Sequence, residues 1–280
     1  MARLPRRRSG HFSTKRHPSD SSSSWDPVAR WYAQWVGKRG SEYHRKLAIP
    51  AVIDLLRLQP GETIVDIGCG TGVLAAALPS SVNYVGVDLS RRLLDTARTL
   101  RGKQRAFVQG DATRLAEVTG LEAQMADAAA FVLSIQDMDP LGGALGGAAW
   151  VLKNNGRLAL LMFHPCFRVP RQSGWGWDEA RALQYRRIDS YLTTREVPVR
   201  PVARGRPGSI KAYHRPLEAY VAALHACGFC LTRLVEVPAF PGITRKGPRA
   251  KAENRANAEI PLFLGLSAVK IGAGERQGHG

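Results

Sequence analysis

The chain has 280 residues, 44% of them apolar, and a formal net charge of +17. That length and apolar share support one large α/β domain with its own core, and no uninterrupted apolar run is long enough to span a bilayer. The four cysteines make no zinc set and fit a reducing cytosol, so no metal is expected and the expected compartment is cytoplasmic.

Residues 1–24 carry Arg3, Arg6, Arg7, Arg8, Lys15 and Arg16 against Asp20 alone and end in four serines. With almost no apolar residues, this stretch is expected to be a disordered basic tail. Residues 25–58 read as helical, with Trp31, Trp35, Ile49, Val52, Ile53 and Leu56 supplying apolar faces and Pro60-Gly61 ending the stretch. Strands and helices then alternate. Strands are expected at 63–67, 84–88, 106–109, 128–133 and 157–163. The helices between them are expected at 72–78, 91–101 and 140–152, and Asn154-Asn155-Gly156 marks a turn before the fifth strand. Such alternation predicts a doubly wound parallel sheet with helices on both faces.

After Phe163 the pattern breaks. Residues 164–215 hold Trp175, Trp177, Tyr185, Tyr191 and Tyr213 among several arginines. Residues 188–197 alternate like a strand, 198–209 read as a loop, and 210–213 can return as a hairpin partner. A helix at 216–227, a strand at 229–237, a basic loop at 239–259 and a last strand at 263–271 follow. Cys227-Gly228-Phe229-Cys230 reads as two small buried residues where helix passes to strand. Residues 272–280 are expected to be disordered. An aromatic insertion after the fifth strand lies at the carboxyl edge of the sheet, where open α/β sheets bind ligands. It reads as a substrate cover or as a packing hairpin.

Ile64-Val65-Asp66-Ile67-Gly68-Cys69-Gly70-Thr71-Gly72 puts a glycine-rich turn at the end of a buried strand, and Tyr84-Val85-Gly86-Val87 delivers Asp88 one strand later. Glycines let the backbone turn tightly and approach a ligand, and a carboxylate in that second position can accept both ribose hydroxyls of a nucleoside. The nicotinamide spacing, Gly-x-Gly-x-x-Gly, fails here. Asp66 at the turn would repel a pyrophosphate and attract a cation. S-adenosylmethionine carries a sulfonium and an ammonium group and no phosphate.

Residues 65–72 resemble the glycine-rich motif of class I S-adenosylmethionine-dependent methyltransferases, and the chain is similar to their small-molecule, type 11 branch. Val87-Asp88-Leu89-Ser90 resembles the ribose-binding acidic motif, Gln109-Gly110-Asp111-Ala112 the adenine-contacting segment, and 127–140 the fourth strand with the loop beside the methyl group. The resemblance implies a Rossmann-like seven-stranded sheet of order 3-2-1-4-5-7-6 with strand 7 antiparallel. It implies one methyltransferase domain at 25–271, with 164–215 as a lid insertion. It places Asp66, Gly68, Gly70 and Gly72 at the methionine part of the cofactor, Asp88 and Leu89 at the ribose, Asp111 and Ala112 at the adenine, and Leu133 beside the ligand. Tyr43, His44 and Arg45 are candidates for the methionine carboxylate.

Methyl transfer needs alignment, exclusion of water and, where the nucleophile starts protonated, a base. His164, directly after strand five, is the first candidate, since histidine takes a proton near neutral pH. Gln136 and Asp137, after strand four, are the polar candidates beside the methyl group. The cysteine pair of RNA cytosine-5 methyltransferases is missing, and so is the Asn/Asp-Pro-Pro-aromatic signature of base amino methyltransferases. The leading expectation is therefore methyl transfer to a small organic molecule. The basic tail and the 239–259 loop keep RNA or ribonucleoprotein as an alternative acceptor, and a non-catalytic cofactor-binding protein is the third reading. The sequence leaves the oligomeric state open.

Overall fold

A computed structural model describes residues 23–199, 210–240, 242 and 246–272. The predicted tails at 1–24 and 272–280 and the loop at 198–209 thus lie outside the described residues, apart from residues 23, 24, 198, 199 and 272.

The stretch expected as one helical region comes in pieces. A 3-10 turn, Asp26–Val28, leads into α1 (Ala29–Val36). Gly37 and Gly40 then adopt φ of +69° and +87°. The chain resumes as a π-turn, His44–Ala48, that continues into α2 (Ile49–Leu56). β1 (Thr63–Ile67) enters the sheet next. The helix expected at 72–78 is replaced by successive turns, with Gly72 N–H donating to Cys69 O (2.9 Å) and Ala77 N–H to Leu74 O (2.9 Å). Arginines take carbonyls of this irregular segment. Arg101 Nε donates to Thr71 O, and the Arg105 guanidinium donates to Leu78, Pro79 and Val82 carbonyls. Backbone acceptors left without a helical ladder are thereby satisfied.

β2 (Asn83–Asp88), α3 (Arg91–Arg101), β3 (Ala106–Gln109), β4 (Ala126–Val132) and α4 (Leu141–Val151) fall close to expectation. β5 (Leu152–Phe163) starts earlier than expected. Ala126 pairs with Leu152 and Ala128 with Arg157, so Asn154-Asn155-Gly156 forms a bulge inside the strand. β4 and β5 are buried on both faces, which is why each reads as a near-continuous apolar run. Gly143 and Gly147 of α4 let the helix rest on backbone, since a Cβ on either would stand 3.0 Å from Thr113 O or 3.1 Å from Ala112 O.

The insertion consists of two hairpins. β6 (Ser173–Asp178) pairs with β7 (Leu183–Ile188), and β8 (Arg195–Val199) pairs with β9 (Ile210–His214). The strand expected at 188–197 is therefore the end of one hairpin and the start of another. The partner expected at 210–213 is found in β9. α5 (Leu217–Ala226) and β10 (Phe229–Pro238) follow. The expected basic loop contains α6 (Pro248–Glu259). Pro248 sits in its first turn, where no backbone donor is lost, and its buried side chains, Ala250 and Ala256, are too small to give an apolar stripe. β11 (Pro261–Lys270) closes the sheet.

The sheet order is β10-β11-β5-β4-β1-β2-β3, with β11 antiparallel to both neighbours. Leaving out the four strands of the insertion, this is the order 3-2-1-4-5-7-6 with an antiparallel seventh strand. One apolar core lies on each face of the sheet. Cys227 is half-buried but Cys230 is exposed, which corrects the expectation that both are buried. No helix among the described residues is long and apolar enough to cross a membrane.

Candidate active site

β1 ends in a turn that its neighbours hold from both sides. Gly68 and Cys69 N–H groups both donate to Val87 O of β2, at 2.7 and 3.0 Å. Ser134, after β4, donates its hydroxyl to Ile67 O at 2.7 Å. Gly68 has φ +76°, and a Cβ there would lie 2.6 Å from Ser134 Cβ, so only glycine serves at this point. Asp88, at the end of β2, accepts Gly70 N–H on Oδ2 and Ser90 N–H on Oδ1, both at 2.8 Å. The glycine turn and the acid of the next strand thus meet at one edge.

Asp66 is buried. Its Oδ2 accepts the Tyr84 hydroxyl at 2.7 Å, and its Oδ1 has no partner. Burial pushes its carboxyl up to about 7, and the charge of Asp88 adds to the rise against the Tyr84 hydrogen bond. Asp137 is pushed up to about 8 by burial and then by Asp88. Burial raises Asp88 too, against the two backbone donors. Tyr32 of α1 lies over this group: a Cβ on Gly70 would stand 3.7 Å from its ring. Its hydroxyl is raised by burial and then by Asp88, Asp137 and Asp66. Three carboxylates that share a shielded edge make it favourable for a cation.

The remaining expected residues fall into two groups. Leu133, Gln136 and Asp111 stand at the same edge. Leu133 adopts φ +56°, a strained conformation for a side chain of this kind. Gln136 Nε2 donates to Leu133 O, which leaves its Oε1 buried and unpartnered. Asp111 caps the 3-10 turn Ala112–Glu117 by accepting Thr113 N–H at 2.9 Å. Ala112 is buried, and Leu89 O accepts Gln109 Nε2. Gly110 N–H donates to Asp88 O, which brings this segment beside the ribose-type acid.

Tyr43, Arg45 and His164 lie apart from the carboxylates. The Tyr43 ring rests 5.0 Å from that of Phe240. Arg45 donates to Gly40 O and lines, with Lys38, Arg39, Arg101 and Arg105, a hollow of about 650 Å³ against residues 73–78. The α1 residue that reaches the acids is Tyr32. His164 is buried with both ring nitrogens engaged. Its Nδ1 accepts Cys166 N–H (3.2 Å), so the proton sits on Nε2 and is donated to Glu236 Oε1 (2.9 Å). Burial lowers its pKa despite Glu236, and the ring is a neutral pin between β5 and β10.

Several supporting residues escaped sequence reasoning. Tyr84 could have been found from strand pairing: it stands beside Ile64, and Gly86 beside Asp66. Asp26 accepts the Ser90 hydroxyl at 2.5 Å, and Arg101 Nη1 donates to Lys38 O at 2.7 Å. These two bonds tie the N-terminal cover to α3. Buried Arg215 donates to Met138 O and Asp139 Oδ1, each at 2.8 Å, and so fixes the loop carrying Asp137. Nothing local announces these long-range pairs. Among the described residues no cluster of His, Cys, Asp and Glu could hold a metal.

A sheet of this order, with a glycine turn and an acid meeting at its carboxyl edge, is the class I methyltransferase fold. Residues 65–160 match the family described as a methyltransferase domain. Residues 65–160 thus carry a methyltransferase domain on the class I S-adenosylmethionine-dependent fold, and the cofactor of that class is S-adenosylmethionine. It is similar to a demethylmenaquinone methyltransferase of Beutenbergia cavernae, 31% identical over 57% of this chain and 65% of the relative. It is also similar to a 2-phytyl-1,4-naphtoquinone methyltransferase of Trichormus variabilis, 33% identical over 38% of this chain and 48% of the relative. The chain thus spans about half to two thirds of the length of these curated relatives. Among solved structures it resembles an S-adenosylmethionine-dependent methyltransferase from Mesorhizobium loti, with a TM-score of 0.62 and 25% identity, over 79% of this chain and 96% of that one. The residues present fit the cofactor: the unpartnered buried oxygen of Asp66 and the raised carboxylates around it suit a ligand with positive charge and no phosphate.

Proposed function

We propose that this chain transfers a methyl group from S-adenosylmethionine to a small organic acceptor. The observation that carries the proposal is the convergence of Asp66, Asp88 and Asp137 beside the glycine turn. When bound, the cofactor supplies an electrophilic methyl carbon on a cationic sulfur. The glycine turn and Asp66 hold the methionine part, Asp88 and Leu89 the ribose, Asp111 and Ala112 the adenine, and Leu133 lies against the ligand. Gln136 orients the loop through Leu133 O.

Asp137 is the residue assigned to the acceptor's proton. A carboxyl raised to about 8 is a much better base than an ordinary carboxylate, and it works near neutral pH. His164, with both nitrogens occupied, acts as a positioning residue for the insertion rather than as the base. Tyr32 excludes water from above the turn.

The names of the two curated relatives favour a quinone-type or related aromatic ring as acceptor. Tritiated S-adenosylmethionine incubated with the protein and a panel of reduced naphthoquinones and small phenols tests this. Labelled product is expected with at least one ring acceptor. Cofactor binding unchanged by Asp88→Ala would overturn the site, and binding without product on any small acceptor would overturn the activity.

A second reading, transfer to RNA, draws on the hollow lined by Lys38, Arg39, Arg45, Arg101 and Arg105 with no acidic residue in its wall. It requires RNA affinity that falls steeply with salt.

A further inference from the structure

Arg168, just before the first hairpin of the insertion, and Arg186, within it, both bring a guanidinium to the ring of Trp175. Arg168 Cζ lies 5.1 Å and Arg186 Cζ 5.2 Å from the centre of the Trp175 ring. Both side chains are half-buried and held by protein oxygens. Arg168 donates Nε to Pro261 O and Nη2 to Ile260 O. Arg186 donates Nε to Phe167 O and Nη2 to Ser173 Oγ. These bonds fix the two forks, and among the described residues no hydrogen bond of either Nη1 is found. Among the described residues no carboxylate ion-pairs with either. Burial, and then the charge of Arg186, pushes Arg168 down to about 10. Two like charges held together and partly desolvated are unfavourable unless an anion joins them.

The surroundings are aromatic and open. Phe163, the last residue of β5, is 48% exposed, Trp175 39% and Tyr43 42%. Tyr43 meets Phe240 at 5.0 Å, and it is close enough to act on the charge of Arg168. These rings stand at the carboxyl edge of the sheet, on the insertion side of the glycine turn. Exposed aromatic faces stack on planar ligands, and guanidinium groups fixed through Nε and Nη2 keep their Nη1 donors for a carboxylate.

We propose that Arg168 and Arg186, beside Trp175, bind the carboxylate of an aromatic acid whose ring rests among Phe163, Tyr43 and Phe240. The inference rests on the methyltransferase reading and narrows its acceptor to an anionic aromatic. The guanidiniums serve here as specificity residues and take no part in the chemistry.

The test uses the full chain and two probes, 4-hydroxybenzoate and its neutral methyl ester, each titrated by calorimetry. The acid is expected to bind at least about tenfold tighter than the ester, a difference of about 1.4 kcal/mol. Arg168→Gln and Arg186→Gln are each expected to weaken the acid about tenfold and leave the ester unchanged. Arg168→Lys keeps the charge but not the fork and is expected to fall between. Equal binding of acid and ester, no binding of either up to about 10 mM, or a preference that survives in the double glutamine variant would overturn the proposal. Binding of S-adenosylmethionine is followed in the same samples. If it persists while the acid preference is missing, only this inference fails. If it is missing while the preference is present, the methyltransferase reading fails and the anion site stands.

Discussion

The two halves of the carboxyl edge are built differently. At the glycine turn most of the holding is done by backbone donors and acceptors: Gly70 and Ser90 N–H groups fix Asp88, and Val87 O accepts from Gly68 and Cys69, while Asp66 leans on a side chain, that of Tyr84. At the insertion, side chains hold side chains and distant carbonyls: His164 reaches Glu236, Arg168 reaches Pro261, and Tyr191 joins Cys166 to Leu217. Backbone contacts tolerate little sequence change, because each depends on chain geometry. Side-chain contacts can be exchanged residue by residue. The first half suits a ligand common to a whole family, and the second suits one that differs between its members.

The comparison predicts where substitution hurts most. Gly68→Val is expected to have the largest effect: its side chain meets Ser134 at a positive φ. A loss of about 3 kcal/mol or more is expected, a drop in Tm of roughly 6–12 °C for a domain of this size, together with loss of cofactor binding. Calorimetric unfolding checks it, and a Tm near that of the parent would show that the turn can yield. Asp137→Asn comes next. Removal of a base is expected to lower kcat by about 10²–10⁴-fold with the cofactor Kd unchanged, and an equal fall in affinity would make Asp137 a binding group instead.

The pH dependence is smaller and has a definite sign. Asp66 and Asp137 are raised to about 7 and about 8, so the folded protein binds their protons more tightly than the unfolded chain does. Their contribution to stability is full below the unfolded carboxyl value of 3.8, falls as pH rises above it, and is gone once pH passes about 7 for Asp66 and about 8 for Asp137. A cationic ligand favours the ionised forms, so cofactor affinity is expected to rise between pH 6 and pH 9, with proton release on binding. Calorimetry in two buffers of different ionisation enthalpy reads this directly, and a flat profile would separate the acids from the ligand. The smallest effect is expected for His164→Gln: a few-fold in KM for the acceptor, with cofactor Kd unmoved. A large loss of kcat that hydrophobic repacking of the insertion did not share would return His164 to the chemistry.

The same contrast explains what could be read beforehand. The glycine turn, Asp88 and the sheet order lie in motifs of a few residues whose spacing carries their meaning. Tyr32 was not legible, because its role depends on where the two glycine breaks that follow α1 let that helix lie. The pin between His164 and Glu236 joins positions 72 residues apart. A histidine after a strand looks the same in sequence whether its nitrogens face a ligand or a glutamate. The irregular 72–78 segment was misread for a related reason: arginines from α3 and beyond, not its own residues, satisfy its carbonyls. α6 was missed since its buried side chains are alanines.

The cover over the glycine turn has a further consequence. It is latched at Asp26 to Ser90 and at Lys38 to Arg101, with Tyr32 between the latches. Arg101 also grips Thr71 O in the turn itself. On the proposed placement of the methyl donor, these fastenings and the Tyr32 ring close over it, so exchange of spent donor for fresh is expected to depend on the same contacts that shape its cradle.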